Sequence, residues 1–521
     1  MLVPLSNVLL IDPFTRMWKS SVLHKNLANS LSHIGFNPII VRCHMAFSNF
    51  CTAMEYRNLS VDSSNLDKQK VCKECIGNQN DLDQKVDYQY EYLVPQENET
   101  LNSMDIGKQI DLNLDKTDLR KIALYETLIK FKKIDFNLES SHLRYYRNQL
   151  INTEISMRQA SSLIEKYNPK YIFCVSPQYS ITGAFAAAAS ERKIPVYFLE
   201  GSCSPVNKYR SLRIWDWQEN GLVDPAKNRF EENNSNKIRL RDILLARQHF
   251  KFIFNSKSYM VYSPKRTGKD IKFLDFNRRR ILAIVSSSDE AFSAYAIDRF
   301  PISKLEGVVF ENQFEWIRSL IAYARENDSI QLIIRIHPRE YTDTRISMKS
   351  QAADIWEALL QNLPSNVHVD LPSHKISLYD YIRNVSLVTT GWSSVAIEAA
   401  YLGIPVVTYD RNLPSFPSSI HVSGVTLEEY FHNLNNFKSQ RSNIHIKWQA
   451  IRWIAFRDFA SNIDLGGSIT EIYSPILLSE FRALIQKLGR LYPKLSRRLD
   501  ILRKPKRSAI HKLNLILKIS S

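Results

Sequence analysis

The apolar positions of this chain follow a repeated strand–helix rhythm. Val8 to Ile11 is a short apolar run that stops at Asp12-Pro13; a helical stretch follows to about His33, Gly35 breaks it, and Pro38-Ile39-Ile40-Val41 resumes as strand. Strand, helix, strand in that order predicts a parallel sheet, because parallel neighbours need a crossover. Helical periodicity returns from about Leu119 to Lys166 through Ile122, Leu124, Leu128, Ile129 and Phe131. Tyr171 to Val175 then reads as a buried strand, Gly183 to Ser190 as a small-residue helix able to lie close to a sheet, and Ile194 to Leu199 as a further strand closing at Glu200-Gly201.

The rhythm starts again downstream. Ile281 to Val285 reads as a strand opening into Ser286-Ser-Ser-Asp-Glu290, and a helix covers about Gln313 to Asn327. Gln331 to Ile336 is a strand ending at His337-Pro338, Ser386 to Thr389 is a strand running into Gly391-Trp-Ser-Ser394, and Val406 to Thr408 follows a Gly-x-Pro. The pattern predicts an α/β protein of two Rossmann-like, doubly wound domains facing a cleft, where ligands collect at the carboxyl ends of the strands. The first domain is expected over about 1–262, with a polar, Asn/Asp/Gln-rich insertion at about 50–115. A basic linker is expected over about 263–280 and the second domain over about 281–480. A cationic tail runs from 487 to 521.

Composition agrees with two domains. The 521 residues exceed the roughly 250–300 at which single cores split, and 44% apolar residues with 11% aromatics imply packed cores. The net charge of +16 is uneven: Lys487 to Ser521 holds 11 Lys or Arg against one Asp, a net of +10 that leaves about +6 for the remainder. A mildly basic body with a cationic tail is not the signature of a nucleic-acid coat. The tail interleaves Leu and Ile with its cations and is divided by Pro493 and Pro505. Basic amphipathic segments sit on anionic membrane surfaces, each cation contributing on the order of 1 kcal/mol. No window approaches the roughly 18 apolar residues of a spanning helix, and the opening MLVPLSNVLLID reads as a first strand rather than a signal peptide. Six cysteines in a chain this long form no disulfide framework, so the expected setting is the cytoplasm, peripheral to the inner face of its membrane. Cys72-Lys-Glu-Cys75 lacks a second pair at zinc spacing and reads as two unpaired thiols.

The loops at the strand ends carry the chemistry. Ser393 or Ser394 is a natural N-cap, and the first-turn N–H groups of such a helix favour an anion such as a diphosphate. Glu398 lies one turn deeper, where a carboxylate reaches a ribose diol. Pro338 fixes the loop after a strand and aims His337 from the sheet's carboxyl edge, as a donor to phosphate or leaving group. Arg335, two positions earlier, is hard to bury without an anion or carboxylate partner. Ser288 and Asp289 sit in the loop after Val285, as a capped helix start or as cleft residues.

Four runs, SSSDEAF, FENQFEWI, LIIRIHPRE and TTGWSSVAIEAAYLGIPVV, in that order, resemble the carboxyl half of bacterial capsule and surface-polysaccharide glycosyltransferases. The relatives include the transferases that move Kdo from a cytidine monophosphate donor. The resemblance covers about residues 280–410. It implies the GT-B architecture and a nucleotide-activated donor, a CMP- or UDP-sugar. It also implies donor contacts from His337, Ser393 and Ser394 to phosphate and from Glu398 to ribose. The acceptor is then a polysaccharide or lipid-linked glycan. No first-domain motif matches closely enough to transfer a catalytic base. Asp12 and Glu200 are candidates by their places at strand ends, and Asp289 is a third from the second domain. No D-x-D pair of the metal-diphosphate kind is present, so neither metal nor cofactor is expected. The alternatives are a sugar-nucleotide epimerase or polyol-phosphate transferase on the same fold, and a membrane-attached scaffold without turnover.

Overall fold

The computed structural model describes residues 5–83, 88–96, 118–208, 211–221, 224–233, 238–255, 261–268, 271–287, 309–342, 348–410, 414–436, 443–465, 512–513 and 516–517. The strands form two sheets. The first holds β1 (Ser6–Ile11), β2 (Phe36–Cys43), β3 (Gln89–Leu93), β4 (Tyr171–Val175), β5 (Val196–Gly201), β6 (Ser211–Asp216) and β13 (Ile463–Asp464), in the order β13-β6-β5-β4-β1-β2-β3. The second holds β7 (Arg279–Ile284), β8 (Ile330–Arg335), β9 (Val367–Asp370), β10 (Leu387–Thr390), β11 (Val406–Thr408) and β12 (Val422–Ser423), in the order β12-β11-β10-β7-β8-β9. Counted within its own half, each sheet has the strand order 3-2-1-4-5-6. The second is parallel throughout; in the first, β6 runs antiparallel to β5 and to β13. The protein is a two-domain, Rossmann-like α/β fold.

The strands read as unbroken apolar runs because both faces of each sheet are covered. Leu282, Ile284, Ile333 and Val388 pack into one core, while their neighbours Ile281, Ala283, Leu332 and Leu387 pack into another on the opposite face. The first sheet alternates likewise, with Leu9, Ile11 and Ile172 on one side and Val8, Leu10 and Phe173 on the other. Local signals set the helices. Asn312 caps Gln313–Arg325 by accepting from the N–H groups of Phe314 and Glu315, both at 3.0 Å, and Trp316, Ile317, Leu320, Ile321 and Ala324 form its buried stripe.

Packing departs from the expected boundaries in four places. Ala226, Phe230, Ala246, Phe250 and Ile253, assigned by sequence to the first domain, lie in the core of the second, where the helix Leu240–Phe254 meets the helix Asn443–Ala455. The stretch read as a linker is bound to the second domain: Asp275 N–H reaches Gln331 Oε1 at 2.9 Å, and Leu274 is buried. The insertion near 50–115 supplies β3, paired with β2, and places Cys51, Cys72 and Cys75 in the first core beside Cys43. The tail is not all free for a membrane, since Leu513 and Leu517 are buried in the first domain and Tyr171 Oη donates to the Leu517 carbonyl at 3.3 Å. Apart from 512–513 and 516–517, residues 487–521 lie outside the described residues. Among the described residues no helix is long and apolar enough to cross a membrane.

Candidate functional site

The second sheet changes direction between β7 and β10, and the crevice outside the carboxyl ends of such a pair is where doubly wound folds hold ligands. A cavity of about 330 Å³ opens there. Its walls include Ser393, Ser394 and Glu398 from the β10 side, Arg335 and His337 from the end of β8, and Tyr379. The helix Leu240–Phe254 adds His249 and Phe250, Cys203 comes from the loop after β5, and Arg457 from the returning chain.

The β10 turn is built for close approach. Thr390 Oγ1 donates to the Ile284 carbonyl at 2.8 Å, tying β10 to β7. A Cβ on Gly391 would stand 2.9 Å from the Tyr409 ring, which is buried. This glycine therefore serves ring packing. Trp392 Nε1 donates to the Ser287 carbonyl at 3.2 Å. The helix Val395–Leu402 follows. Ser394 is itself helical and makes no side-chain cap, so Ser393 acts as the cap, its Oγ accepting the Val395 N–H at 3.3 Å. The carbonyls of Ser393 and Ser394 take the N–H groups of Ala396 at 3.1 Å and Ile397 at 3.0 Å; what the helix start offers the cavity is its dipole and the two serine hydroxyls. Gly403, at φ 79°, ends the helix in the left-handed region.

His337 caps the turn Pro338–Glu340, with Nδ1 accepting the Arg339 N–H at 3.0 Å. That bond puts the ring proton on Nε2. Burial, and then the charges of Arg339, Arg335 and Lys132, push the imidazole down to about 3. It is a neutral N–H donor at physiological pH. Arg335 has found the carboxylate it needs. It pairs with Asp370, its register partner on β9, and also donates to the Ile376 carbonyl at 3.3 Å. It lines the cavity as half of a buried ion pair.

Glu398 is buried, and Tyr379 Oη donates to it at 3.0 Å. Burial raises its carboxyl to about 7, against the lowering effect of that bond. Opposite stand groups that carried no recognisable sequence pattern. His249 Nδ1 lies 3.0 Å from Ser204 Oγ, and burial pushes this imidazole to about 4. Arg457 bonds its neighbour Asp458 at 2.8 Å within a π-helical turn, Phe456–Ala460; such turns recur at functional sites.

The three candidate bases part company. Asp12 follows β1 in a buried cluster, with the Arg42 guanidinium on one oxygen, Ser21 Oγ donating to the other at 2.9 Å and His24 Nδ1 3.2 Å away. Although burial opposes it, Arg42 and His24 lower this carboxyl to about 2. Asp12 is not among the residues that line the cavity. Glu200 ends β5 with its side chain 43% exposed, beside Arg213, which also holds Asp224 and reaches Cys203 Sγ at 3.1 Å. The surrounding protein pushes its carboxyl up against the opposing Arg213 charge. Asp289 and Ser288 lie outside the described residues.

The five cysteines of the first core, Cys43, Cys51, Cys72, Cys75 and Cys174, are free thiols. Burial pushes Cys72 up to about 11 and Cys43 to about 12. Among the described residues no group of three His, Cys, Asp or Glu side chains is arranged to hold a metal ion.

No family model matches the chain, and no curated protein does. Among solved structures it is similar to the Thermosulfurimonas dismutans KpsC beta Kdo 2,4 transferase, at 15% identity and TM-score 0.35 over 56% of this chain and 79% of that one. It is also similar to a UDP-GlcNAc 2-epimerase from Neisseria meningitidis bound to UDP-GlcNAc, at 12% identity and TM-score 0.26 over 86% and 95%. A third is the S. aureus MnaA-UDP co-structure, at 10% identity and TM-score 0.27 over 96% and 99%. With likenesses this distant, the functional reading rests on the cavity.

Proposed function

We propose that the cavity binds a nucleotide-activated sugar and that the protein transfers the sugar to a hydroxyl of a glycan acceptor approaching from the first domain. The observation that carries this is the assembly, in one cavity at the β7/β10 crevice, of the positive end of a helix, two serine hydroxyls, a neutral imidazole donor and a buried carboxyl. The phosphate belongs at the hydroxyls of Ser393 and Ser394, at the positive end of Val395–Leu402, with Nε2–H of His337 as a further donor. The ribose diol belongs at Glu398, whose carboxylate is the acceptor in reach.

In the transfer, the bond from the anomeric carbon to the phosphate oxygen breaks and a bond to the acceptor oxygen forms. Negative charge grows on the departing nucleotide. Donors fixed beforehand at that oxygen are typically the largest single contribution to such catalysis, each worth about 3 kcal/mol of barrier. The acceptor proton goes to a base. Neither Glu200 nor Asp12 lines the cavity; Glu200 suits that role better because its side chain is partly exposed and its carboxyl is raised. The acceptor class is a polysaccharide or lipid-linked glycan of the bacterial surface. The cations of 487–507 support work at the inner membrane face. Asp289 and Ser288 keep their candidacies as second-domain contributors.

Incubating the purified protein with labelled CMP- and UDP-sugars, with and without glycan acceptor, tests the proposal. Product that requires acceptor supports it. Conversion of the sugar nucleotide without acceptor is the epimerase outcome and sinks the transfer reading. Donor binding with no product from any acceptor is the scaffold outcome.

A further inference from the structure

The turn that carries His337 is held from the other domain. The helix Leu119–Phe131 ends at Lys132, which lies in the left-handed region at φ 47°, a conformation strained for any residue with a Cβ. Lys133 N–H closes the helix on the Leu128 carbonyl at 3.0 Å. The strained residue then reaches into the second domain. Lys132 Nζ donates to the carbonyl of Arg339 and, at 3.3 Å, to that of Met348. Its own carbonyl accepts the Gln351 N–H at 3.2 Å. Gln351 completes the contact: its Oε1 accepts the Ile134 N–H at 2.8 Å and its Nε2 donates to Asp135.

These bonds run in series to the imidazole. Arg339, whose carbonyl Lys132 holds, is the residue whose N–H fixes His337 Nδ1 at 3.0 Å. Ser350, next to Gln351, gives its hydroxyl to the buried Glu340 carboxylate and its N–H to the Glu340 carbonyl at 2.9 Å, so both ends of the turn are tied.

We propose that Lys132 and Gln351 are positioning residues for His337: the contact between the domains fixes the Pro338–Glu340 turn, and the turn fixes the ring with Nδ1 occupied and Nε2–H left for a ligand. Separating the domains frees the Arg339 carbonyl and lets the turn relax, so the site is complete only in the closed arrangement, and a ligand contacting His337 favours that arrangement. The geometry stands by itself; its consequence for nucleotide affinity rests on the function proposed above.

The variants are chosen to keep the fold. Lys132→Gly suits the left-handed φ and retains the carbonyl that Gln351 uses, so it removes the side chain that carries Nζ and leaves the backbone contact in place. Gln351→Ala retains the N–H and removes the side-chain bridge. Lys132→Arg keeps a cationic donor. The full chain is labelled with ¹⁵N-histidine, and His337→Gln assigns the signals. The native ring is expected to show a single tautomer with proton on Nε2. Lys132→Gly and Gln351→Ala are expected to show shifts averaged between tautomers, with the dissociation constant for UDP or CMP raised about five-fold. Lys132→Arg is expected to stay close to the native pattern. His337 signals in Lys132→Gly and Gln351→Ala that superimpose on the native ones overturn the proposal. If the native chain binds neither UDP nor CMP, the nucleotide reading fails, and the ring spectra still decide this one.

Discussion

Replacing Glu398 by glutamine separates the carboxyl's charge from its shape. The folded carboxyl sits at about 7 against an ordinary 4.5, because burial disfavours its charged form. That difference corresponds to about 3 kcal/mol. The folded value lies above the unfolded one, so this stabilisation is full below pH 4.5 and is lost as pH rises through 7. Glutamine never ionises, and its Oε1 can still accept from Tyr379 Oη, which stands 3.0 Å from the native carboxylate. At pH 5 the native protein and Glu398→Gln should differ by less than about 1 kcal/mol. At pH 8 the variant should be more stable by about 2–3 kcal/mol, and taking the difference cancels every other titrating group. The assay is urea unfolding at pH 5, 6, 7 and 8, followed by the fluorescence of the buried Trp316, Trp356 and Trp453 of the second domain. A difference that stays flat from pH 5 to 8 refutes the reasoning, because it would mean the carboxyl is not desolvated in the folded state. The same titration bears on ligand binding. Ribose hydroxyls donate to the ionised form, so nucleotide affinity should rise with pH between 6 and 8 in the native protein and stay flat and weaker in Glu398→Gln.

Further expectations follow from the same physics. Asp12→Asn leaves Arg42 buried without its carboxylate and should cost about 3–5 kcal/mol in urea unfolding while leaving nucleotide affinity of the folded protein unchanged. In the native protein Asp12 sits at about 2 against an ordinary 3.8, so its contribution of about 2 kcal/mol is present above pH 3.8 and lost as pH falls towards 2, visible as a difference between native and variant in acid unfolding. Gly391→Ala drives a Cβ to 2.9 Å from the buried Tyr409 ring and should cost about 1–3 kcal/mol in urea unfolding, with weaker nucleotide binding as the helix start shifts. The thiols of Cys43, Cys51, Cys72, Cys75 and Cys174, all raised by burial, should react with Ellman's reagent at pH 8 only as the protein unfolds. With only Cys203 outside that set, rapid reaction of two or more thiols in the native protein contradicts it.

The sequence announced the elements of the second sheet because a strand buried on both faces is an unbroken apolar run. Ile281 to Val285 and Gln331 to Ile336 overlap β7 and β8 to within a few residues. The Gly-Trp-Ser-Ser turn was legible too, since cap residues and helix starts are local. What sequence could not supply is pairing across strands. Arg335 was known to need a partner, but only the β8–β9 register places Asp370 opposite it. The difference between Asp12 and Glu200 lies in the same place: one carboxylate is enclosed by Arg42, Ser21 and His24, and the other shares Arg213 at a half-open edge. The helix Leu240–Phe254 looked like first-domain structure by position, yet Phe250 stacks on Tyr401 at 3.9 Å between ring centroids, a contact 151 positions away in the chain. Leu513 and Leu517 read as part of a membrane-facing stripe because an amphipathic pattern does not say what covers its apolar face.

The most direct test is the structure of the protein with a sugar nucleotide bound. The account expects the phosphate within hydrogen-bonding distance of Ser393 or Ser394 and of Nε2 of His337, with the ribose against Glu398. A nucleotide seated elsewhere, with this cavity closed by its own side chains, contradicts it.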